Sequence, residues 1–73
     1  MTFAKRLKHE RTAAGLTQEV LSGLCGISQR TWCKYERGTS TPMMSRLLAI
    51  SDVLGCSADY LLGRTDERKN LAL

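Results

Sequence analysis

No run of apolar residues in this chain approaches the roughly 20 that a helix needs to cross a bilayer. The first ten residues, MTFAKRLKHE, carry charges with no apolar stretch behind them, so they do not form a secretion signal. The expected location is the cytoplasm, with no membrane contact. Cysteine is sparse and odd in number: Cys25, Cys33 and Cys56 form no CxxC pair, and His9 is the single histidine. That spacing argues against a structural zinc site or a disulfide framework and fits a reducing compartment. Neither a metal nor a cofactor is expected. A glycine-rich phosphate loop and carboxylates paired at catalytic spacing are also missing, and so short a chain leaves little room for a pocket. An enzyme is therefore not expected. Internal repeats, low-complexity tracts and strand-like alternation are absent as well.

What is present is the composition of a folded domain, 42% hydrophobic and 25% charged over 73 residues. One domain is expected, near the lower size at which a chain folds without staples. The net charge is +4, unevenly spread. Residues 1–46 hold eight Lys/Arg against three acids, and residues 47–73 hold three against four. The basic excess thus falls in the first two thirds of the chain. It favours a polyanionic partner, nucleic acid ahead of a membrane surface, although a merely soluble basic surface has the same composition.

Period and punctuation give five helical segments. The first runs from about residue 2 to residue 14 and stops at Gly15. Thr17 caps the second, 18–25, which ends at Gly26, and Ser28 caps the third, 29–37, closed by Gly38. Thr39-Ser40-Thr41-Pro42 is a loop, with Pro42 suited to the first turn of a fourth helix that ends at Gly55. There Met44, Leu47, Leu48, Ser51 and Leu54 recur at helical spacing. Ser57 caps a short fifth helix, 58–62. The expected core is Leu7, Leu16, Leu21, Cys25, Ile27, Trp32, Tyr35, Leu47, Leu54 and Leu61. Short connections between such helices imply a compact all-α, five-helix bundle over residues 1–63. Residues 64–73 are polar up to Leu71-Ala72-Leu73 and are expected to form a flexible tail.

The most informative segment is 17–38, TQEVLSGLCGISQRTWCKYERG, two short helices joined by a glycine turn. Stepping about 100° per residue from Gln29, Cys33, Arg37, Arg30 and Lys34 fall within an arc of about 140° that carries amide and cationic donors and no carboxylate. Thr31, Tyr35 and Trp32 fall opposite. One face is built to pack and the other to meet acceptors, as in a helix that enters the major groove of DNA. Trp32 is expected to fill the core.

The span LTQEVLSGLCGISQRTWCKYERG, with Pro42, Leu47-Leu48, Leu54-Gly55 and SADYLLG behind it, resembles the Cro/repressor-type, lambda-repressor-like helix-turn-helix family over about residues 3–63. Gln18 opens the first motif helix. Leu21, Cys25, Ile27, Trp32 and Tyr35 hold the apolar positions, Ser22 the small-residue position where two helices cross, and Gly26 the turn. Glu36-Arg37-Gly38 matches the end of the recognition helix.

The resemblance implies that residues 29–37 lie in the major groove of double-stranded DNA and that the preceding helix lies across the backbone. Gln29, Arg30, Cys33 and Lys34 are then the base-reading candidates, Arg to guanine, Gln to adenine and Cys33 to a thymine methyl. Thr17, Gln18, Thr31, Arg37, Thr39, Ser40 and Thr41 are the phosphate-binding candidates. The loop 39–41 is neutral where such proteins often carry Lys or Arg, which implies a shallow salt dependence. Arg11 and Glu36 occupy the positions of an ion pair seen in lambdoid repressors. Cys56, Ala58, Tyr60 and Leu62 fall at the end that usually forms the dimer.

Three departures stand out. Val20 and Leu24 are apolar where polar residues are usual, Gly23 interrupts a helix, and Trp32 is large for its position. The resemblance implies a prokaryotic or phage transcriptional regulator, a repressor that binds an inverted-repeat operator as a homodimer. No ligand-sensing module is expected to be fused to it. The alternative is an antitoxin or anti-repressor that binds a protein partner through Val20, Leu24 and the Leu71–Leu73 end.

Overall fold

Hydroxyl side chains start four of the five helices. In the computed structural model, which describes residues 2–69, α1 spans Phe3–Ala13, α2 Gln18–Leu24, α3 Gln29–Arg37, α4 Met44–Leu54 and α5 Ala58–Leu61. The side chains of Thr2, Thr17, Ser28 and Ser57 accept from the backbone amides of Lys5, Val20, Thr31 and Tyr60, filling the first orphan donors of α1, α2, α3 and α5. Only α4 begins without such a cap. Its N-cap is Met43, and Pro42 lies one residue before that cap, not in the first turn as the sequence suggested. No strand occurs among the described residues.

The turns between helices are tight because glycine takes conformations closed to other residues. Gly26 adopts φ +69° between α2 and α3, and Gly38 adopts φ +80° at the end of α3. At Gly38 it is the backbone and not space that requires glycine, since an added Cβ would make only an ordinary 3.7 Å contact with the Ala4 Cβ. Ser22, the small residue of the motif, is buried and turns its hydroxyl back to the Glu19 carbonyl, which leaves α3 room to cross α2.

Trp32, Leu7, Leu21, Ile50 and Leu61 are fully buried at the centre. Ile27, Tyr35, Leu47, Leu54 and Cys56 complete the core, and Phe3, Leu16, Cys25, Ala58 and Tyr60 pack around it. Leu16 and Cys25 therefore sit at the rim, while Ile50 and Cys56 were not anticipated inside. The reason lies in α4, whose sequence MSRLLAISDVL is apolar on more than one side. Leu47, Ile50, Ser51 and Leu54 turn inward, and Met44, Leu48 and Val53 are left exposed. Trp32 and Tyr35 pack with ring centroids 6.4 Å apart. Removing so large a buried ring costs about 3–5 kcal/mol, so Trp32 anchors α3 to the body.

Residues 64–69, which read as a loose polar tail, are tied back onto the bundle. Arg6 of α1 is buried and donates to the carbonyls of Tyr60 (2.7 Å) and Thr65 (2.6 Å) and to Asp66 (2.7 Å). Its guanidinium lies 4.4 Å over the Tyr60 ring, while its Nε is buried without a partner. Arg68 donates to Glu10 (2.7 Å) and to the carbonyls of Leu54 and Gly55, and its own carbonyl accepts from the Ser57 amide at 2.8 Å. These bonds satisfy carbonyls at the ends of α4 and α5 that would otherwise face water. The Leu71–Leu73 end lies outside the described residues.

Candidate nucleic-acid interface

The two faces of α3 separate by burial as the wheel requires. Trp32 and Tyr35 are 0% and 2% exposed, whereas Gln29, Arg30, Lys34 and Arg37 are all exposed. Among the described residues none of Arg30, Lys34 and Arg37 is held in an ion pair. Two amide or cationic donors in the first turn and two cations further on therefore stand on one surface. Such a surface can donate to base edges and phosphates.

Beside the packing of Trp32 and Tyr35, one carboxylate ties the end of α3 to its neighbours. Glu36 accepts from Arg11 Nε (2.7 Å) and a second guanidinium nitrogen (3.1 Å), from Gln18 Nε2 (3.1 Å) and from Trp32 Nε1 (2.6 Å). Arg11 reaches it from α1 and also donates to the Leu16 carbonyl at 2.9 Å. The pair is well enclosed, with side-chain exposures of 12% for Arg11 and 4% for Glu36. Burial alone would push the Glu36 carboxyl up. The bonds from Arg11, Trp32 and Gln18 outweigh it and hold the carboxyl below its usual range. Glu36 thus stays charged and ties α1, α2 and α3 together.

The expected phosphate contacts divide into two groups. Gln18 is half-buried, with its amide engaged by Glu36 and by Cys33, whose Sγ lies 3.0 Å from Gln18 Oε1. Thr17 spends its oxygen on the cap of α2 and keeps its own hydroxyl proton to donate. Thr31 accepts from Ser28 at 2.9 Å. At the other end of α3, Thr39 donates to the Lys34 carbonyl. Arg37, Ser40 and Thr41 line a cleft of about 460 Å³ together with Thr2 and Lys5 from the start of the chain.

Nothing local in the sequence singles out Lys5, because the cleft forms only where the start of α1 packs beside Gly38. Arg46, also unremarked, donates from α4 to the Tyr35 hydroxyl at 3.1 Å and sets a further cation near α3. Arg6, by contrast, is committed to Tyr60, Thr65 and Asp66.

The remaining sequence candidates fare unevenly. Cys33 was read as a groove-facing contact for a thymine methyl, but it is half-buried and its thiol is directed to Gln18. Of the four residues assigned to a dimer surface, Cys56 is 8% exposed within the core, and Tyr60 turns its hydroxyl onto Glu10 at 3.1 Å. Burial and that bond hold the Tyr60 phenol above its ordinary pKa. Of these two, Cys56 is enclosed and Tyr60 is half-buried. Ala58 is half-buried, and Leu62, together with Leu48, remains exposed. Val20 and Leu24 are also exposed, 48% and 60%, so they do not pack beneath α1.

A first helix capped by Thr17, a turn at Gly26 and a second helix seated on Trp32 and Tyr35 define a helix-turn-helix protein of the all-α type. Comparison with known proteins agrees. Residues 2–62 match the family described as "Helix-turn-helix domain", and the chain belongs to that family, in its Cro/repressor-type branch.

It is similar to the cryptic phage CTXphi transcriptional repressor RstR of Vibrio cholerae, 40% identical over 75 aligned positions that cover 100% of this chain and 67% of that one. It is also similar to the SPbeta prophage-derived HTH-type transcriptional regulator YonR of Bacillus subtilis, 36% identical over 94% of this chain and 64% of that protein. The chain thus spans about two thirds of the length of these curated relatives. Among solved structures it resembles the P22 c2 repressor in complex with a synthetic operator. The TM-score there is 0.82 at 32% identity, covering 85% of this chain and 94% of that one.

Proposed function

We propose that this chain is a sequence-specific double-stranded DNA-binding transcriptional regulator, a repressor that acts as a homodimer on an inverted repeat. The observation that carries the reading is the outward display of Gln29, Arg30, Lys34 and Arg37 on a helix whose opposite side is sealed by Trp32 and Tyr35. Likeness to the operator-bound P22 c2 repressor over nearly its whole chain supports it.

In this reading α3 enters the major groove. Arg30 donates twice to a guanine, Gln29 pairs with an adenine, and Lys34 reaches a base or a phosphate. A good bidentate contact of this kind discriminates by about 1–3 kcal/mol. Gln18, Thr17 and Thr31 grip the backbone on one side of the groove. On the other side the backbone is met by Arg37, Thr39, Ser40 and Thr41. The uncapped amides at the start of α4 add to that second grip, since an anion there completes the cap and meets the favourable end of the helix dipole.

One recognition helix covers only a few base pairs, so useful selectivity calls for two copies about one helical turn, roughly 34 Å, apart. The exposed Leu62 and Leu48 with the adjoining Ala58 are the surface available for that pairing. The test is selection of bound sites from a random duplex library. The expected product is an enriched inverted repeat with half-sites one turn apart. Enriched sites without two-fold symmetry would overturn the homodimer, and no enrichment would overturn sequence-specific binding.

A further inference from the structure

Cys33 stands about one helical turn after Gln29, on the edge of α3 that faces α2. Its Sγ is 3.0 Å from Gln18 Oε1, and Gln18 Nε2 is 3.1 Å from Glu36 Oε1. The direction of both bonds follows from what each group can offer. A carboxylate only accepts, so the Gln18 amide must turn its nitrogen toward Glu36. Its oxygen then faces Cys33, and the thiol must be the donor. Glu36 is itself immobilised by Arg11 and Trp32, so the amide of Gln18 is held at both ends. A primary amide nitrogen carries two protons. One is used on Glu36, and the second is left for an acceptor outside the chain.

The geometry points to Cys33 as a positioning residue: its thiol fixes the Gln18 side-chain amide so that the second Nε2–H is presented to a DNA phosphate. The inference rests on the DNA-binding reading above and changes what Cys33 does within it. A free glutamine loses substantial rotamer freedom when it grips a ligand. One already held by Cys33 and Glu36 has lost that freedom on folding, so less is lost on binding. Cys33 then raises affinity for every sequence alike, although it sits on the helix that reads bases. It also couples the two helices of the motif, because α3 cannot shift without turning the Gln18 amide.

Four variants test this: Cys33→Ser, which keeps a donor; Cys33→Val, which keeps the bulk and an apolar surface; Gln18→Ala; and Cys33→Val combined with Gln18→Ala. Binding is titrated on a short random-sequence duplex and on duplexes that the parent selects from a random library. The Gln18 side-chain amide signals are followed by NMR without DNA, and an unfolding curve for each variant monitors the fold. Cys33→Val is expected to weaken binding to both duplexes equally, by about two- to tenfold, and to displace the Gln18 amide signals. Cys33→Ser is expected to restore most of the affinity, and in the Gln18→Ala background Cys33→Val should cost nothing further.

The inference is overturned if Cys33→Val binds both duplexes like the parent. It is equally overturned if the loss is confined to one base position and Cys33→Ser shares it, the pattern of a methyl contact. If the parent itself bound neither duplex, the inference would fall through the reading it rests on. The parent's own titration distinguishes that result from the other two.

Discussion

Glu36 and Glu10 are two shielded carboxylates, each paired with an arginine far away in sequence, and they hold different parts of the chain. Glu36 collects donors from Arg11, Gln18 and Trp32 and locks α1, α2 and α3 together under the outward face of α3. Glu10 accepts from Arg68 and Tyr60 and ties α1 to α5 and to residues 64–69. The first pair is enclosed on both sides, whereas the Arg68 side chain is 44% exposed. The candidate binding surface therefore rests on a closed ionic hub, and the segment behind α5 on a half-solvated one. Enclosure raises the penalty for removing one partner much more than it raises the value of the intact pair.

The largest expected effect follows directly. Glu36→Gln leaves Arg11 without its counter-charge in an enclosed site and is expected to cost about 3 kcal/mol or more, read by urea unfolding. A pH effect of fixed sign accompanies it. The folded Glu36 carboxyl titrates below its ordinary value of 4.5. Its stabilisation is therefore present above that value and lost as pH falls through the lower, folded one. The parent should weaken in that acid window, and the Glu36→Gln variant should show a flatter slope there. An identical acid slope in both would remove Glu36 from its central place.

A smaller effect is expected on the other side of the comparison. Arg68→Ala should cost about 1–2 kcal/mol, since water can reach the vacated site, and it should leave DNA affinity unchanged. A loss as large as that of Glu36→Gln would make the two hubs equals. The smallest effect is a gain. Gly23 lies inside α2, where an added Cβ meets nothing within 4 Å. Gly23→Ala should therefore raise stability by up to about 1 kcal/mol, seen as a higher thermal midpoint. No gain would mean that the α2 backbone is already fixed by its neighbours in the motif.

The same contrast explains how much was legible in the sequence. The two faces of α3 were readable because Trp32 and Tyr35 alternate with Arg30, Cys33 and Lys34 at a clear helical period. The caps at Thr17, Ser28 and Ser57 were readable because a hydroxyl directly precedes each helix. The Arg11–Glu36 pair came through family resemblance alone, since nothing local links residues 25 positions apart. The inner side of α4 was readable only in part: Leu47 and Leu54 were expected inside and are buried, but Met44, Leu48 and Ile50 are equally apolar and only packing chooses among them.

Residues 64–69 were opaque for a related reason. Their partners, Arg6 and Glu10, are ordinary charged residues on a helix with few apolar positions, and a tertiary pairing of charges leaves no period to read. Cys33 shows the same limit, for its thiol lies 3.0 Å from Gln18 Oε1 on the neighbouring helix. Its place on the wheel was visible, but the amide waiting on α2 was not.

The central claim, that the exposed donors of α3 read bases, is tested most directly by measuring base-by-base preference for the parent and for Arg30→Ala on the selected site. Preference should collapse at one position in each half-site, by about 1–3 kcal/mol, while the other positions and the unfolding midpoint stay as in the parent. An unchanged preference profile, or an equal loss of affinity for every sequence, would contradict it.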